Sequence, residues 1–231
     1  MRRWLLLLPL LAAPACSGLD ESQDGVVGLE VQLPDDPTPT LEVGEQLQLS
    51  ARALDVNGET VDAEILWRAT DPALSVDATG LVTGVAPGSS DVQAVVGSLA
   101  SEPIPFDIIA RADTLIIAGD SVFVIPIGAV PPATANLMVR LESRSPVGPV
   151  DARPVIFEIT QPVSGTTPAV QLAGGVQIDT LTTIADGTAA IAIGLVTGQT
   201  PPDTAIVEVR ANRTDDSPVP GSGQRFIILF Q

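Results

Sequence analysis

The chain has 231 residues and a formal net charge of -17, and arginine is its only cationic side chain because lysine and histidine are absent. This length fits two β-sandwich domains that each bury their own core. Aromatic residues make up only 3% of the sequence, whereas glycine and proline number 20 and 21, which is typical of short strands separated by turns. Because nucleic-acid binding needs clustered cations, the charge excludes a nucleic-acid partner.

The missing residue types also exclude several kinds of active site. Without histidine, no Ser-His-Asp triad, Cys-His pair or histidine-ligated zinc site can form. Without lysine there is no Gly-x-x-x-x-Gly-Lys phosphate loop, and no Asp-Thr-Gly or Asp-Ser-Gly triplet of the aspartic proteases occurs. Asp186-Gly187-Thr188 is interpreted as a hairpin turn between strands. We therefore predict no enzymatic activity, no catalytic residue and no cofactor, and an unrecognised enzyme is the least favoured alternative.

Residues 1–15 have the pattern of a signal peptide. Arg2 and Arg3 precede an apolar run from Trp4 to Leu11, and Ala13-Pro14-Ala15 forms a cleavage site of small residues. The apolar run is too short to span a bilayer stably. The sequence therefore predicts an exported protein.

Cys16 is the only cysteine, so it cannot form an internal disulfide. Its place directly after the cleavage site resembles the modified residue of bacterial lipoproteins, which implies acylation of Cys16. Ser17, a residue other than Asp, then implies sorting to the outer membrane of a Gram-negative bacterium. Ala13 and Pro14 differ from the usual lipoprotein signal, so cleavage by an ordinary signal peptidase stays open. Residues 16–25 are predicted to contain the lipidated cysteine and a flexible tether.

Residues 26–110 alternate with period two, as strands with one buried face do. The turns Asn57-Gly58 and Pro87-Gly88 separate such strands. The predicted inward-facing residues form three runs: Val27, Leu29, Val31 and Leu33; Leu47, Leu49, Ala51 and Ala53; and Ile65, Trp67 and Ala69. This pattern predicts a β-sandwich.

Residues 26–98 resemble a group 2 bacterial immunoglobulin-like domain. The resemblance is carried by the VGEQLQLSA stretch, the Asn-Gly turn, the W-x-x-x-D segment from Trp67 to Asp71 and the DATGLVTGVAPG run from Asp77 to Gly88. The family implies a sandwich module found in surface proteins, often adhesins, with no shared catalytic site. In this architecture Trp67 is predicted to be a core residue rather than a sugar-stacking platform.

In residues 111–231 apolar and polar residues alternate with period two, as they do in residues 26–110. The segments RPVIFEI, IDTLTTIADGTAAIAIGL and AIVEVRA, which lie within residues 137–211, resemble group 1 bacterial immunoglobulin-like domains of the invasin and intimin type. The resemblance implies an all-β chain of two tandem immunoglobulin-like β-sandwiches after a cleaved signal peptide. Predicted inward-facing residues are Leu137, Val139 and Leu141; Val155, Phe157 and Ile159; and Val207 and Val209. Because the junction from Ile108 to Asp113 is short and each sandwich has its own core, we expect the two to unfold separately.

Two features invite a functional interpretation. A carbohydrate- or ligand-binding accessory protein would need an exposed aromatic platform, for which Phe123 and Phe157 are the candidates. Asp35-Asp36 and Asp215-Asp216 could hold calcium at domain ends, but no calcium-loop motif supports this, so they are interpreted as solvated turn residues. Asn212-Arg213-Thr214 matches a glycosylation triplet to which we assign no role.

These patterns together predict a non-enzymatic lipoprotein of the cell envelope. It would be an interaction, adhesion or structural spacer module, attached to the membrane through its lipid anchor and facing the periplasm or the cell exterior. The expected partner is an envelope or cell-surface protein or glycan. The residues that would bind this partner are not identified by the sequence.

Overall fold

The structure is a computed structural model that describes residues 25–34, 39–129, 133–162 and 168–231. In these residues every regular element is a β-strand, which confirms the all-β prediction. The same residues contain no helix with the length and apolar character needed to cross a bilayer. The predicted signal peptide, Cys16 and the pair Asp35-Asp36 lie outside the described residues.

The first sandwich is built from short strands that fall into three hydrogen-bonded sheets. In chain order they are β1 (Gly28–Gln32), β2 (Thr40–Glu42), β3 (Gln46–Gln48), β4 (Ser50–Leu54), β5 (Thr60–Val61), β6 (Leu66–Ala69), β7 (Leu74–Val76), β8 (Leu81–Gly84), β9 (Gly88–Val96), β10 (Leu99–Ala100) and β11 (Ile104–Ile109). One layer is the sheet β10-β9-β11-β2, with β6 paired to β9 and β2 parallel to β11. The sheets β1-β4-β5 and β3-β8-β7 face it.

The core of this sandwich lies between those layers. Its larger cluster contains Leu49, Val82, Val92 and Phe106, all at most 1% exposed. Trp67 faces inward and packs against this cluster, as predicted, although it is only partly buried. A Cβ atom on Gly80 would lie 2.9 Å from the indole ring and 2.8 Å from the Leu49 carbonyl oxygen. Only a glycine therefore fits beneath the indole, which explains why Gly80 occupies this position of the DATGLVTG run.

Two of the predicted inward-facing residues of the first sandwich, Val27 and Ala51, are not among the residues of its apolar clusters, and Ala51 is partly buried. Leu29, Val31 and Leu33 pack against the core, whereas Val27 is 53% exposed. The prediction for Val27 was wrong because regular pairing of β1 begins only at Gly28. One residue earlier, Val26 enters the core instead and is 5% exposed.

The second sandwich consists of two sheets. Its strands are β12 (Thr114–Ile117), β13 (Val122–Ile125), β14 (Thr134–Arg144), β15 (Val147–Pro149), β16 (Pro154–Gln161), β17 (Val170–Leu172), β18 (Ile178–Thr182), β19 (Thr188–Leu195), β20 (Thr204–Arg210) and β21 (Gln224–Phe230). One sheet has the order β12-β14-β19-β17, with β15 paired to β14. The other has the order β13-β21-β20-β16-β18.

A single apolar cluster fills the space between these two sheets. The predicted inward-facing residues of β14, β16 and β20 are all in it, and each is at most 6% exposed. On β19, Ala189, Ile191 and Ile193 are buried while Ala190 is exposed. Small alanines, Ala190 and Ala192, therefore occupy the outer face of that strand.

The Asp186-Gly187-Thr188 turn differs from the predicted hairpin. It joins β18 to β19, but these strands belong to opposite sheets and are not paired with each other. Asp186 Oδ1 accepts hydrogen bonds from the Thr188 amide at 2.9 Å and the Thr188 hydroxyl at 2.6 Å, and Gly187 has a φ of 78°. The turn therefore carries the chain from one layer of the sandwich to the other.

Strand directions place the chain ends and the loops relative to the junction between the sandwiches. β2 and β11 both run toward the junction and end at Glu42 and Ile109. β3 and β4 lead away from it, and β1 is antiparallel to β4, so Gly28 lies at the far end of the first sandwich. In the second sandwich, β12 starts at the junction and is antiparallel to β14. We call the opposite end, where β14 begins at Thr134, the distal end.

Candidate functional site at the junction of the two sandwiches

Glu42 is a buried carboxylate at the end of β2, with only 2% of the residue exposed. The turn that follows holds it in place: the Glu42 amide donates to Glu45 Oε2 at 2.7 Å, and the Glu45 amide donates to the Glu42 carbonyl at 2.9 Å. Gly44 has a φ of 84° and its amide donates to the carbonyl of Gly84. The Glu-Val-Gly-Glu segment therefore fixes the carboxylate against the base of the second sandwich.

Arg153 approaches Glu42 from the second sandwich, immediately before β16 begins at Pro154. The residue is 6% exposed. Its backbone is fixed to Thr183: the Arg153 amide donates to Thr183 Oγ1 at 3.0 Å, and the Thr183 amide donates to the Arg153 carbonyl at 2.8 Å. Thr183 Oγ1 in turn donates to the Val150 carbonyl at 2.8 Å. This buried polar network aims the guanidinium out of the second sandwich.

The Arg153 guanidinium donates a hydrogen bond to Glu42 Oε1, and both side chains are less than one tenth exposed. Burial raises the pKa of the Glu42 carboxyl above its ordinary value of 4.5, although the positive charges of Arg153 and Arg213 oppose the shift. Arg153 Nε and Glu42 Oε2 have no hydrogen-bond partner among the described residues. A buried pair of this kind is costly to desolvate, and loss of one partner leaves a buried charge uncompensated.

A second arginine, Arg213, lies beside the Glu42–Arg153 pair and contacts both the linker and the first sandwich. Arg213 Nε donates to the Ala112 carbonyl at 3.0 Å and lies 3.8 Å from Glu42 Oε2. Its terminal nitrogen lies 3.8 Å from Asp113 Oδ1. Beside it, the Thr214 hydroxyl donates to Glu45 Oε2. The loop after β20 thereby contacts both the linker and the first sandwich.

A cleft of about 530 Å³ opens beside these charges, between the two sandwiches. Thr40, Asp107 and Ile109 line it from the first sandwich, and Arg153 and Arg213 are among the residues that line it from the second. Among the described residues that line the cleft, none is aromatic. Its rim therefore offers charge and hydrogen bonds but no surface for stacking a sugar ring.

Of the two candidate residues for the aromatic platform of the carbohydrate-binding alternative, Phe157 is contradicted by the structure. Phe157 is fully buried in the core of the second sandwich. Phe123 packs against the same core, with its ring centroid 6.2 Å from that of Phe226. Phe157 therefore presents no face to a ligand, whereas Phe123 is partly buried against Phe226.

The acidic pair Asp215-Asp216 lies in the loop that carries Arg213. Asp215 Oδ1 accepts hydrogen bonds from the Ser217 amide at 2.9 Å and from the Ser217 hydroxyl at 2.5 Å. These two bonds lower the pKa of Asp215 below its ordinary 3.8. In the part of the chain that the structure describes, no group of three or more acids or other metal-ligating residues comes together. The observed geometry is that of a turn residue, as interpreted from the sequence.

Glu42 and Arg153 were not identified by the sequence, because 111 residues separate them and each resembles an ordinary surface charge. No local signal in the sequence marks Glu42, because its burial next to the buried Leu41 is visible only in the structure. Arg153 directly precedes Pro154 at the start of the predicted RPVIFEI strand. Only the structure shows that this position faces the first sandwich.

Comparison with known proteins agrees with this architecture. Residues 34–102 match the family model of the bacterial Ig-like domain (group 2), which confirms the resemblance of residues 26–98. No curated protein matches the chain by sequence. Among solved structures, the Escherichia coli adhesin FdeC is 14% identical over 88% of this chain and 64% of that chain, with a TM-score of 0.51. This similarity covers most of both sandwiches and supports an immunoglobulin-like fold for the second as well.

Two other solved structures are similar at lower scores. The Yersinia pseudotuberculosis adhesin InvE is 16% identical over 88% of this chain and 60% of that chain, with a TM-score of 0.43. Domains 4 and 5 of the S-layer protein SbsC are 13% identical over 89% of this chain and 98% of that chain, with a TM-score of 0.33. The chain thus spans between 60% and 64% of the length of the two adhesin structures.

Proposed function

We propose that the chain is a non-enzymatic module of the cell envelope that serves adhesion or acts as a structural spacer, with domains at residues 26–110 and 111–231. The buried contact between Glu42 and Arg153 carries this proposal. A buried ion pair is favourable only in one close geometry, so it holds the two sandwiches in a fixed relative orientation. A module fixed in this way presents its distal end at a set distance from its N-terminal tether.

Two further observations support this role. The fold is shared with the E. coli adhesin FdeC, which favours an extracellular or cell-surface location. The composition leaves no histidine, no lysine and a single cysteine, so most general bases, nucleophiles and soft metal ligands are missing. The partner in this proposal is a protein or glycan of the envelope or of another cell.

The proposal includes a lipid anchor at Cys16, on the outer membrane of a Gram-negative bacterium. Several acyl chains on one cysteine would anchor the protein durably, because each buried methylene contributes about 0.8 kcal/mol and a single chain binds only marginally. Cys16 precedes the first sandwich by a short polar segment. Since Gly28 lies at the end of that sandwich away from the junction, the anchor and the distal end would be on opposite sides of the molecule.

The Cys16→Ser variant is expected to lose membrane association completely, because no other acylation site exists once the signal is removed. The measurement is fractionation after metabolic labelling with palmitate. Ser17→Ala is the matched control, and it is expected to keep both the label and the membrane location. A Cys16→Ser protein that stays in the membrane fraction, or an unlabelled wild type, contradicts the anchor.

The interaction role is tested by cross-linking the full-length protein in living cells and identifying the adducts by mass spectrometry. We expect one or a few envelope or cell-surface partners, and reduced adhesion in a deletion strain. Failure to recover a partner, together with unchanged adhesion, would leave only the spacer role. Turnover of a hydrolase substrate that is lost when one acidic pair is mutated would contradict the non-enzymatic assignment.

A further inference from the structure

β13 is an edge strand whose open side has no neighbour among the described strands. It is paired only with β21, in parallel. The carbonyls of Ser121 and Ile125 accept hydrogen bonds from that direction, at 2.8 and 3.2 Å, and the Ile127 amide donates to the carbonyl of Gln231. Because backbone hydrogen-bonding groups alternate in direction along a strand, those of the intervening Val122 and Val124 point to the open side.

The surface at this edge is apolar. Val122, Val124 and Ile127 are 51%, 57% and 51% exposed, and Ile227, paired with Val122, is 39% exposed. Pro126 and Ile127 continue directly into a groove of about 280 Å³ at the distal end, between the loop after β13 and the loop after β19. We call the open side of β13 together with this groove the edge site.

Among the described residues, none that contributes to the edge site is charged. The groove is lined by aliphatic, glycine, proline, threonine and glutamine residues. Residues 121–129, 133–139 and 187–202, from which its lining comes, contain no Asp, Glu or Arg in a chain that carries 28 acids and 11 arginines. Natural edge strands are commonly protected by charges. β13 has none, although it is short and is followed by Pro126.

We propose that the edge site binds an extended, uncharged segment of another protein, which adds to the sheet as a strand beside β13. The backbone groups of Val122 and Val124 that point to the open side would pair with the main chain of that segment, and its apolar side chains would cover the exposed valines and enter the groove. A charged side chain is disfavoured there because the groove holds no opposite charge and burial of an unpaired charge is costly. This inference rests on the proposed role as an interaction module and names its binding surface.

The same observations argue against other occupants. A second copy of this chain brings its own net charge of -17, so long-range repulsion opposes self-pairing. A lipid surface is usually contacted through Trp, Tyr or basic residues, and none of these lines the groove. A sugar would need an aromatic stacking partner, and the groove has no aromatic side chain either.

The test is selection of displayed random peptides on the full-length chain in detergent, followed by affinity measurement with one selected peptide. We expect uncharged peptides with alternating β-branched residues. Val124→Asp should weaken binding at least about tenfold, because it places a charge in an apolar contact. Val147→Asp is the matched control: it is 88% exposed on β15 of the other sheet and should leave binding unchanged. Val124→Thr, which keeps the β-branched shape, should have an intermediate effect.

Hydrogen exchange gives an independent readout. The amides of Val122 and Val124 should become protected when the peptide binds. Recovery of no peptide, recovery of charged peptides, or binding that Val124→Asp leaves intact would overturn the proposal. Concentration-dependent dimerisation that Val124→Asp abolishes would also overturn it, in favour of a second copy. None of these outcomes affects membrane labelling at Cys16 or the junction contact, so the proposed envelope role is tested separately.

Discussion

Arg153→Met is expected to lower the free energy of unfolding by about 3–5 kcal/mol, because it leaves the Glu42 carboxylate buried without its partner. The measurement is urea denaturation followed by circular dichroism and by the fluorescence of Trp67. Arg52→Met is the matched control. The Arg52–Glu30 ion pair lies on the surface, with both side chains more than 40% exposed, and its loss should cost less than about 1 kcal/mol.

The double variant Glu42→Leu with Arg153→Met should recover most of that loss, because two apolar side chains can replace a buried ion pair at nearly constant stability. The loss of unfolding free energy in the single variant Arg153→Met should also depend on pH. Without Arg153 the pKa of Glu42 is raised further, so the native state binds more protons than the unfolded state at pH values above 4.5. The stability of Arg153→Met therefore falls as pH rises through this range. If Arg153→Met lost the same free energy of unfolding at about pH 5 and at about pH 8, the loss would not come from the charge of Glu42.

These measurements also bear on how the sandwiches unfold. Separate unfolding was expected from the short junction and the independent cores. The buried pair and the Arg213 contacts now give a physical reason for coupling between them. We expect the wild type to unfold with the two transitions closer together than in the double variant. Transitions equally separated in both proteins would show that the contact does not couple the sandwiches.

Trp67→Ala is expected to destabilise the first sandwich by about 3 kcal/mol, at the lower end of the range for buried tryptophans because the residue is only partly buried. The cavity would form between Gly80, which the indole covers, and the core cluster around Leu49. Circular dichroism should show an early transition of the first sandwich, while the second melts later.

Trp67→Phe is the control, and it should lose less stability because it retains an aromatic ring against Gly80. Quenching of native fluorescence by iodide supplies a second readout, since Trp4 leaves with the predicted signal and Trp67 is then the sole tryptophan. We expect weaker quenching than for free tryptophan. Quenching equal to that of the unfolded protein would contradict an inward-facing indole.

The strands of both sandwiches were predictable because the alternation of apolar and polar residues indicates which side chains of a strand are buried. Val155, Phe157 and Ile159 share one phase, and all three are buried. The phase that Phe157 shares with Val155 and Ile159 indicates burial, which excludes an exposed platform at Phe157. The prediction for Val27 was wrong for a different reason. Alternation does not determine where pairing begins, and the start of β1 at Gly28 placed Val26 in the core instead.

The junction and the edge site were not predictable in the same way, because both depend on contacts between segments far apart in the chain. The pairing of Glu42 with Arg153 requires the orientation of two domains, which no local pattern encodes. The openness of β13 depends on the strand order of its sheet. An uncharged run such as residues 121–139 is visible in the sequence, but it predicts a buried strand as readily as an exposed one.

The direction of β1 has a mechanical consequence if the protein is held at Cys16 and pulled from its distal end. Tension would then act along the strand axis, from Gly28 toward the junction. β1 is antiparallel to β4 over five paired positions from Gly28 to Gln32, so the load would shear these hydrogen bonds together rather than open them one at a time. At the junction the covalent linker between Ile109 and Thr114 would bear the same load, and the Glu42–Arg153 contact would resist separation of the sandwiches beside it. We therefore expect that contact, rather than the N-terminal strand, to yield first under force.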